Sequence, residues 1–395
     1  MSEQRGNFME EILQIFSEAA EDPLNYGRRY KAASGKKIVG YVCTYVPEEL
    51  ILAAGAHPLR LFGTKGELGL ADAHLQSYCC SLVRGIMEEG LKGGTDFLDG
   101  IVFPHTCDSI QRLSDLWRMN VPKGFHLDAV LPVKLHTESA RSYFIEVLER
   151  LRRDLERELR GRISDDDLYR ACEQMNELRG RLQRLYELRC DDPTLLAGDD
   201  LYTVVKGAMI MDRLQVNELL SKMTEILAAR SKIENSGSSS FESRGTARNK
   251  PSVRLIMAGG ICNHPRIQRL IEEAGGTVIW DDLCTGSRYF EAPIAAAPAP
   301  LEAIADRYMA RAVCPAKHVG LSNRSAKIIS LVKERQARGV VFLHLKFCDP
   351  HAFDYPYLKS ALEEAGIPSL LLEVEDPLPA EEQLRTRFEA FLEML

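Results

Sequence analysis

The stretch Gly339–Glu373, GVVFLHLKFCDPHAFDYPYLKSALEEAGIPSLLLE, admits few folds. Val340–Leu345 is apolar and rich in β-branched residues, which predicts a buried strand. Cys348, Asp349 and Pro350 break it, because proline lacks the ladder donor. Asp354 is the expected N-cap of a helix with Pro356 in its first turn. Leu358, Leu362 and Ala365 keep helical spacing, Gly366 closes the helix, and Ser369–Leu372 is the next strand. Such a strand–helix–strand unit belongs to an open parallel α/β sheet. Sheets of that kind bind ligands beyond the carboxyl ends of their strands, and Cys348 stands at such an end.

The same grammar occurs elsewhere in the chain. KIVGYVCTYVPEELILAAGAHPLRLFG from Lys37 resembles VRLIMAGGICNHPRIQRLIEEAGGTVIW from Val253: strand, cysteine loop, helix, Ala-Gly, strand. DGIVFPHTCDS from Asp99 parallels GVVFLHLKFCDPH from Gly339. Cys43 thus corresponds to Cys262, and Cys107 to Cys348. The expected fold is α/β, with two duplicated Rossmann-like parallel-sheet domains facing a cleft and a helical insertion between them. A cleft between two such domains is the usual place for a ligand.

Read in order, residues 1–33 are helical and the first sheet has strands at Lys37–Cys43, His57–Phe62, Asp99–Pro104 and Asp128–Leu135. From residue 139 the sequence turns to Glu, Arg and Leu with helical periodicity, broken near Gly161–Ser164 and Asp191–Thr194. ENSGSSSFESRGTARN, residues 234–249, has the composition of a flexible linker. The predicted divisions are an N-terminal α/β domain at 1–138, helices at 139–233, the linker at 234–249 and a C-terminal α/β domain at 250–395. The helical segment is expected to lie away from the ligand site.

Several function classes are disfavoured. A net charge of −7 without a basic stripe argues against nucleic-acid binding. No apolar run reaches the ~18 residues that span a membrane. The opening MSEQRGNFMEEILQIF is an acidic amphipathic helix and not a signal peptide, so a cytoplasmic location is expected. There is no GxxxxGK followed by Ser or Thr, and Ala258–Cys262 reads AGGIC and not GxGxxG, so ATP use would belong to a partner.

Ten cysteines need a reason in a reducing compartment, where disulfides are rare. Cys80, Cys107 and Cys348 lie at strand–loop or loop–helix junctions. They are either metal ligands or plain thiols, and no CxxC decides between the two. Cys79 adjoins Cys80 as an alternative. Cys172 and Cys190 lie at core-like helical positions and read as structural, while Cys262 stays unassigned. His105 and His351 flank two of the cysteine loops, as proton donors, as hydrogen-bond donors to metal-bound sulfur or as loop histidines bonded to backbone. Glu48 and Glu49 are either charges at a helix start or, for Glu49, a base near substrate. Asp281 and Asp282 end a strand, as metal ligands or as solvated loop carboxylates.

GYVCTYVPEELILAAGAHPLRLFG, the HTCD loop, DDLCTGSRYF, LKFCDPHAFDYP and the terminal RFEAFLEML, in that order over nearly the whole chain, resemble the 2-hydroxyacyl-CoA dehydratase family. That family includes benzoyl-CoA reductase subunits and a double-cubane-cluster reductase branch. The resemblance implies α/β domains holding a [4Fe-4S] cluster through three cysteines, which match Cys80, Cys107 and Cys348. It further implies an acyl-CoA substrate, single electrons from an ATP-hydrolysing iron–sulfur activator protein, and pairing with a homologous second subunit or as a homodimer. The double-cubane branch adds cysteines that match Cys43, Cys284 and Cys314, implying two joined cubanes and a small-molecule substrate. A non-catalytic electron-transfer subunit is the remaining alternative.

Overall fold

The computed structural model describes residues 2–64, 66–235, 252–311, 314–317, 320–375 and 378–395. Helices α1 (Ser2–Glu21) and α2 (Pro23–Ser34) are divided at Asp22, whose carboxylate accepts from the Asn25 amide at 3.0 Å and caps α2. The first sheet then forms through β1 (Ile38–Tyr41), α3 (Glu48–Ala53), β2 (His57–Arg60), α4 (Ser81–Leu91), β3 (Gly100–Phe103), α5 (Asp108–Asn120) and β4 (Phe125–Asp128). Its strands are all parallel, in the order β2-β1-β3-β4.

Four helices follow: α6 (Glu138–Leu159), α7 (Asp165–Asp191), α8 (Gly198–Ala208) and α9 (Arg213–Asn235). Ser164 and Asp167 form a reciprocal capping box at the start of α7, as the Ser-Asp-Asp-Asp run predicts. The expected linker lies outside the described residues from 236 onward, and 234–235 still belong to α9.

The second sheet is built from β5 (Val253–Gly259), α10 (Arg266–Glu273), β6 (Gly276–Asp282), α11 (Ser287–Phe290), α12 (Pro300–Ala310), α13 (Leu321–Glu334), β7 (Gly339–Leu345), α14 (Asp349–Glu364) and β8 (Ser369–Val374), with α15 (Glu381–Glu393) last. Its parallel order β6-β5-β7-β8 repeats that of the first sheet. The central strands β1, β3 and β7 are buried along their whole length, because helices cover both faces of the sheets. At Gly259 (φ 151°) a Cβ would stand 1.9 Å from the Leu343 carbonyl oxygen, so only glycine lets β5 and β7 approach so closely there.

Two boundaries differ from expectation. The fourth strand is Phe125–Asp128; Ala129 still donates to the Phe103 carbonyl at 2.8 Å, but the chain then leaves the ladder, and Pro132 in that stretch has no donor to rejoin it. Helix α14 begins at Asp349, five residues before the expected cap, since Pro350 suits a first turn whose amides have no intrahelical acceptor. Asp354 and Pro356 therefore lie inside that helix, and Asp354 pairs with Arg324.

The helical segment does not stand apart. One apolar core runs from Ile38, Leu59 and Phe103 of the first sheet through Leu182 and Leu185 of α7 and Val204 of α8 to Ile256 and Val341 of the second. Helix α7 is bonded to both halves. Arg179 pairs with Glu49 of α3, and the Tyr186 hydroxyl donates to Asp281 of β6 at 2.6 Å. Among the described residues no helix is long and apolar enough to cross a membrane.

Candidate metal centre

Cys80, Cys107 and Cys348 are the N-cap residues of α4, α5 and α14, and none of them uses its side chain to cap. Helix N-termini favour anionic groups, thiolates included. Cys107 follows β3 and Cys348 follows β7, at equivalent positions of the duplicated sheets. In both loops a non-glycine residue with positive φ precedes the cysteine: His105 (φ 40°) and Phe347 (φ 65°). Backbone held in that region concentrates at functional sites.

The thiols act on one another. Burial pushes Cys107 up to about 12, and the neighbouring Cys80, Cys43 and Cys314 push the same way. Burial raises Cys80 to about 11, with Cys79 adding to it. Cys348 is raised well above the usual thiol range by burial, then by Cys80, Cys107 and Cys314. Cys314 reaches about 11 through burial, then Cys284 and Cys43. Cys43, Cys80, Cys107, Cys284, Cys314 and Cys348 thus form one connected set drawn from both sheets.

The other cysteines lie elsewhere. Cys172, buried on α7, is influenced by Glu49 and Arg179. The Cys190 sulfur lies 3.4 Å from an Arg254 nitrogen, and Cys262 donates to the His264 carbonyl at 3.4 Å. Cys79 neighbours Ser109 and Asp349, beside the set.

Among the described residues no three His, Cys, Asp or Glu side chains are grouped to hold a single ion. An iron–sulfur cluster asks for something different: thiolates converging from separate loops around a shared space. The chemistry of the surroundings suits such an anionic group. The Tyr45 hydroxyl, Nη1 of Arg288, Nε of Arg311 and Nδ1 of His351 are buried without a hydrogen-bond partner among the described residues. The buried Lys317 ammonium donates to the Leu131 carbonyl at 3.2 Å.

The remaining candidates separate. His105 is 2.7 Å from Asp128 through Nε2, and Asp128 also accepts from Ser114 at 2.5 Å. His351 is enclosed against Gly260 and held neutral, by burial first and by Arg324 and Arg288 next. Glu49 is fully buried. Burial would raise its pKa, but Arg179 and Arg307 hold it below the usual carboxylate range. Glu48 accepts from Arg213 at 2.6 Å and from Tyr41 at 2.7 Å.

Asp281 and Asp282 are not solvated. Asp281 accepts from the amides of Leu283 (3.1 Å) and Ser287 (2.7 Å) and so shapes the loop that carries Cys284. Asp282 pairs with Arg324 at 3.2 Å and Arg288 at 3.3 Å. Reading the sequence overlooked Tyr45, Arg288 and Lys317. Each lies within four positions of a cysteine in the set, in CTY, CTGSR and CPAK. Local sequence shows that proximity but not the burial.

A cavity of about 320 Å³ opens at the carboxyl end of β2, where Phe62 and Thr64 of one half meet Asn263 of the other. Glu89 and Lys206 also line it. The burial of Glu89, then Asp22, pushes its carboxyl up to about 7.

Residues 43–395 match the protein family described as 2-hydroxyglutaryl-CoA dehydratase, D-component. The chain is 28% identical to the (R)-phenyllactyl-CoA dehydratase beta subunit of Clostridium sporogenes, over 96% of this chain and 97% of the relative. It is 28% identical to a benzoyl-CoA reductase subunit of Thauera aromatica, over 89% of each. It is 26% identical to the beta subunit of the lactoyl-CoA dehydratase of Anaerotignum propionicum, over 98% of this chain and 99% of the relative.

Proposed function

We propose, for a chain that belongs to the 2-hydroxyglutaryl-CoA dehydratase D-component family, that it is the iron–sulfur subunit of an enzyme acting on a CoA thioester. The reaction is removal of the 2-hydroxyl of a 2-hydroxyacyl-CoA or reduction of an acyl-CoA of the benzoyl type, in line with the names of the relatives. Those relatives are each named as one subunit of their enzyme, so a homologous second subunit or a second copy of this chain completes the assembly. Electrons come singly from an ATP-hydrolysing iron–sulfur activator.

The observation that supports this reading is that Cys80, Cys107 and Cys348 stand at three helix N-termini and are near enough to act on one another electrostatically. Their thiolates would hold a [4Fe-4S] cluster and leave one iron without a cysteine. When bound, the cluster supplies single electrons and a position open to an oxygen ligand. The chain's own residues do the rest. The N-termini of α4, α5 and α14 favour the anionic form of the ligands. Cys80 is buried, and Cys107 and Cys348 are half-buried against the core, which limits the access of water. Asp128 orients His105 through Nε2, leaving Nδ1 to hold or release a proton.

Anaerobic iron and sulfide analysis with electron paramagnetic resonance tests the reading. About four iron per chain is expected, together with activator-dependent turnover of a CoA thioester. Protein that holds no iron when purified or reconstituted anaerobically would overturn it. A second reading, the double-cubane reductase of small molecules, is favoured by one observation: Cys43, Cys284 and Cys314 stand in the same connected set. It requires about eight iron per chain.

A further inference from the structure

The thiol set is surrounded by buried positive charge that the protein does not neutralise. Arg60, Arg311 and Lys317 are all buried, and among the described residues none has a carboxylate within ion-pair distance. Arg60 Nη1 reaches the Cys284 carbonyl at 3.4 Å, and its Nε and Nη2 have no partner among the described residues. Arg311 donates to the carbonyl and hydroxyl of Thr44, the residue after Cys43, and lies 5.0 Å from the Tyr45 ring. Lys317 donates to the Leu131 carbonyl and stands near Cys43, Cys314 and Cys107.

Arg288 follows the Cys284 loop on α11 and is 1% exposed. Its Nη2 donates to the Asp282 carbonyl at 2.6 Å. The Asp282 carboxylate is shared with Arg324 and Lys327. Arg288 Nε lies 3.3 Å from that divided carboxylate, while its Nη1 and the Tyr45 hydroxyl have no hydrogen-bond partner among the described residues. Cys284, Cys314 and Tyr45 are near enough to act on the guanidinium electrostatically, and Cys314 and Cys43 act on Tyr45 in the same way. Burying an unpaired cation or an unmet donor is costly, and native proteins rarely leave either without a counterpart. Several such groups in one place suit an anion rich in acceptors.

We infer that Arg60, Arg288, Arg311 and Lys317 form a buried cationic shell whose counter-charge is the thiolate-bound group itself, and that Arg288 and Tyr45 donate hydrogen bonds to it on the Cys43–Cys284–Cys314 side. This rests on the iron–sulfur reading and adds which residues set the charge the group can carry. A fixed positive charge and hydrogen bonds to sulfur stabilise the more negative, reduced form and raise the reduction potential.

The test is a redox titration, followed by electron paramagnetic resonance, of the full chain purified anaerobically, with its iron counted. Arg288→Met removes the charge at similar length. It should shift the redox equilibrium at least tenfold toward the oxidised form, a potential lower by about 59 mV for a one-electron couple. Arg288→Lys should recover most of that shift, which a purely structural role for the side chain would not produce. Tyr45→Phe, losing only a hydroxyl, should move the potential the same way by less. Iron-replete Arg288→Met and Tyr45→Phe proteins with the wild-type potential would overturn the inference and leave the cluster reading intact. An iron-free wild type would remove both. Should Arg288→Met fail to hold iron, Tyr45→Phe and Lys317→Met decide, and unmoved potentials in both refute the shell.

Discussion

Cys80, Cys107 and Cys348 each occupy a helix N-cap without capping it, so alanine there forfeits no capping hydrogen bond. Folding and metal loading should therefore come apart. In each alanine variant the metal-free protein should keep its urea midpoint, within roughly 1 kcal/mol, while iron falls to a small fraction of wild type. Full iron in all three would rule out this ligand set, and loss of about half the iron in Cys284→Ala and Cys314→Ala would favour two cubanes. His57 supplies a pH dependence. Its Nε2 donates to the Ile210 carbonyl at 2.8 Å, and burial, then Arg213, lowers its pKa to about 3. The unfolded chain takes up that proton near pH 6.5, but the folded chain refuses it until about pH 3. The stabilising contribution is thus complete above pH 6.5 and is lost as pH falls toward 3, at up to ~1.4 kcal/mol per unit. Urea titrations at pH 7.5 and 4.5 should show a smaller loss in His57→Gln than in wild type, and an equal loss would refute this origin. Reading the sequence separated these residues unevenly. Cysteines at strand ends are a local pattern, whereas the neutral state of His57 depends on the Ile210 carbonyl and Arg213, more than 150 positions away, and on the rings of Tyr26 and Tyr30 packed against it.

At the scale of elements, α7 ties the halves together through Glu49–Arg179 near its middle and Tyr186–Asp281 further along. Removing one member of a buried pair leaves a charge with no compensation. Arg179→Ala should cost about 3–5 kcal/mol, with Glu49→Gln/Arg179→Met less damaging than Arg179→Ala alone, as double-mutant unfolding curves would show. Parity between the two variants would mean that the pair carries no such penalty. The helix break near Gly161–Ser164 and the Ala-Gly turns that lead from helix to strand were legible beforehand, because a cap and its helix are sequence neighbours. The start of α14 was not. Asp354 has the composition of a cap, but Pro350 is compatible with an earlier first turn, and Arg324 engages the Asp354 carboxylate. Likewise Leu131 and Leu135 look like strand residues because they are buried, yet they are buried from a loop.

At the scale of the whole molecule, two sheets share one strand order, and cysteines in their carboxyl-end loops act on one another electrostatically. Neither half contains a phosphate-binding loop of the GxxxxGK type. The purified chain should therefore release no phosphate from ATP until an activator is added, and steady hydrolysis by the chain alone would contradict the division of labour proposed here. The sequence by itself determined the duplicated parallel architecture, the order of its helices and strands, and the placing of cysteines after strands and before helices. Those features follow from hydrophobic period, capping and turn chemistry, which act over a few residues. The family resemblance singled out six of the ten cysteines, but which charges are sealed in around them emerged from the tertiary structure. Thr44 and Arg311 are 267 positions apart, and Arg60 and Cys284 are 224 apart. No local pattern encodes such contacts, because they arise from two sheets and a helix packing to exclude water from one shared core.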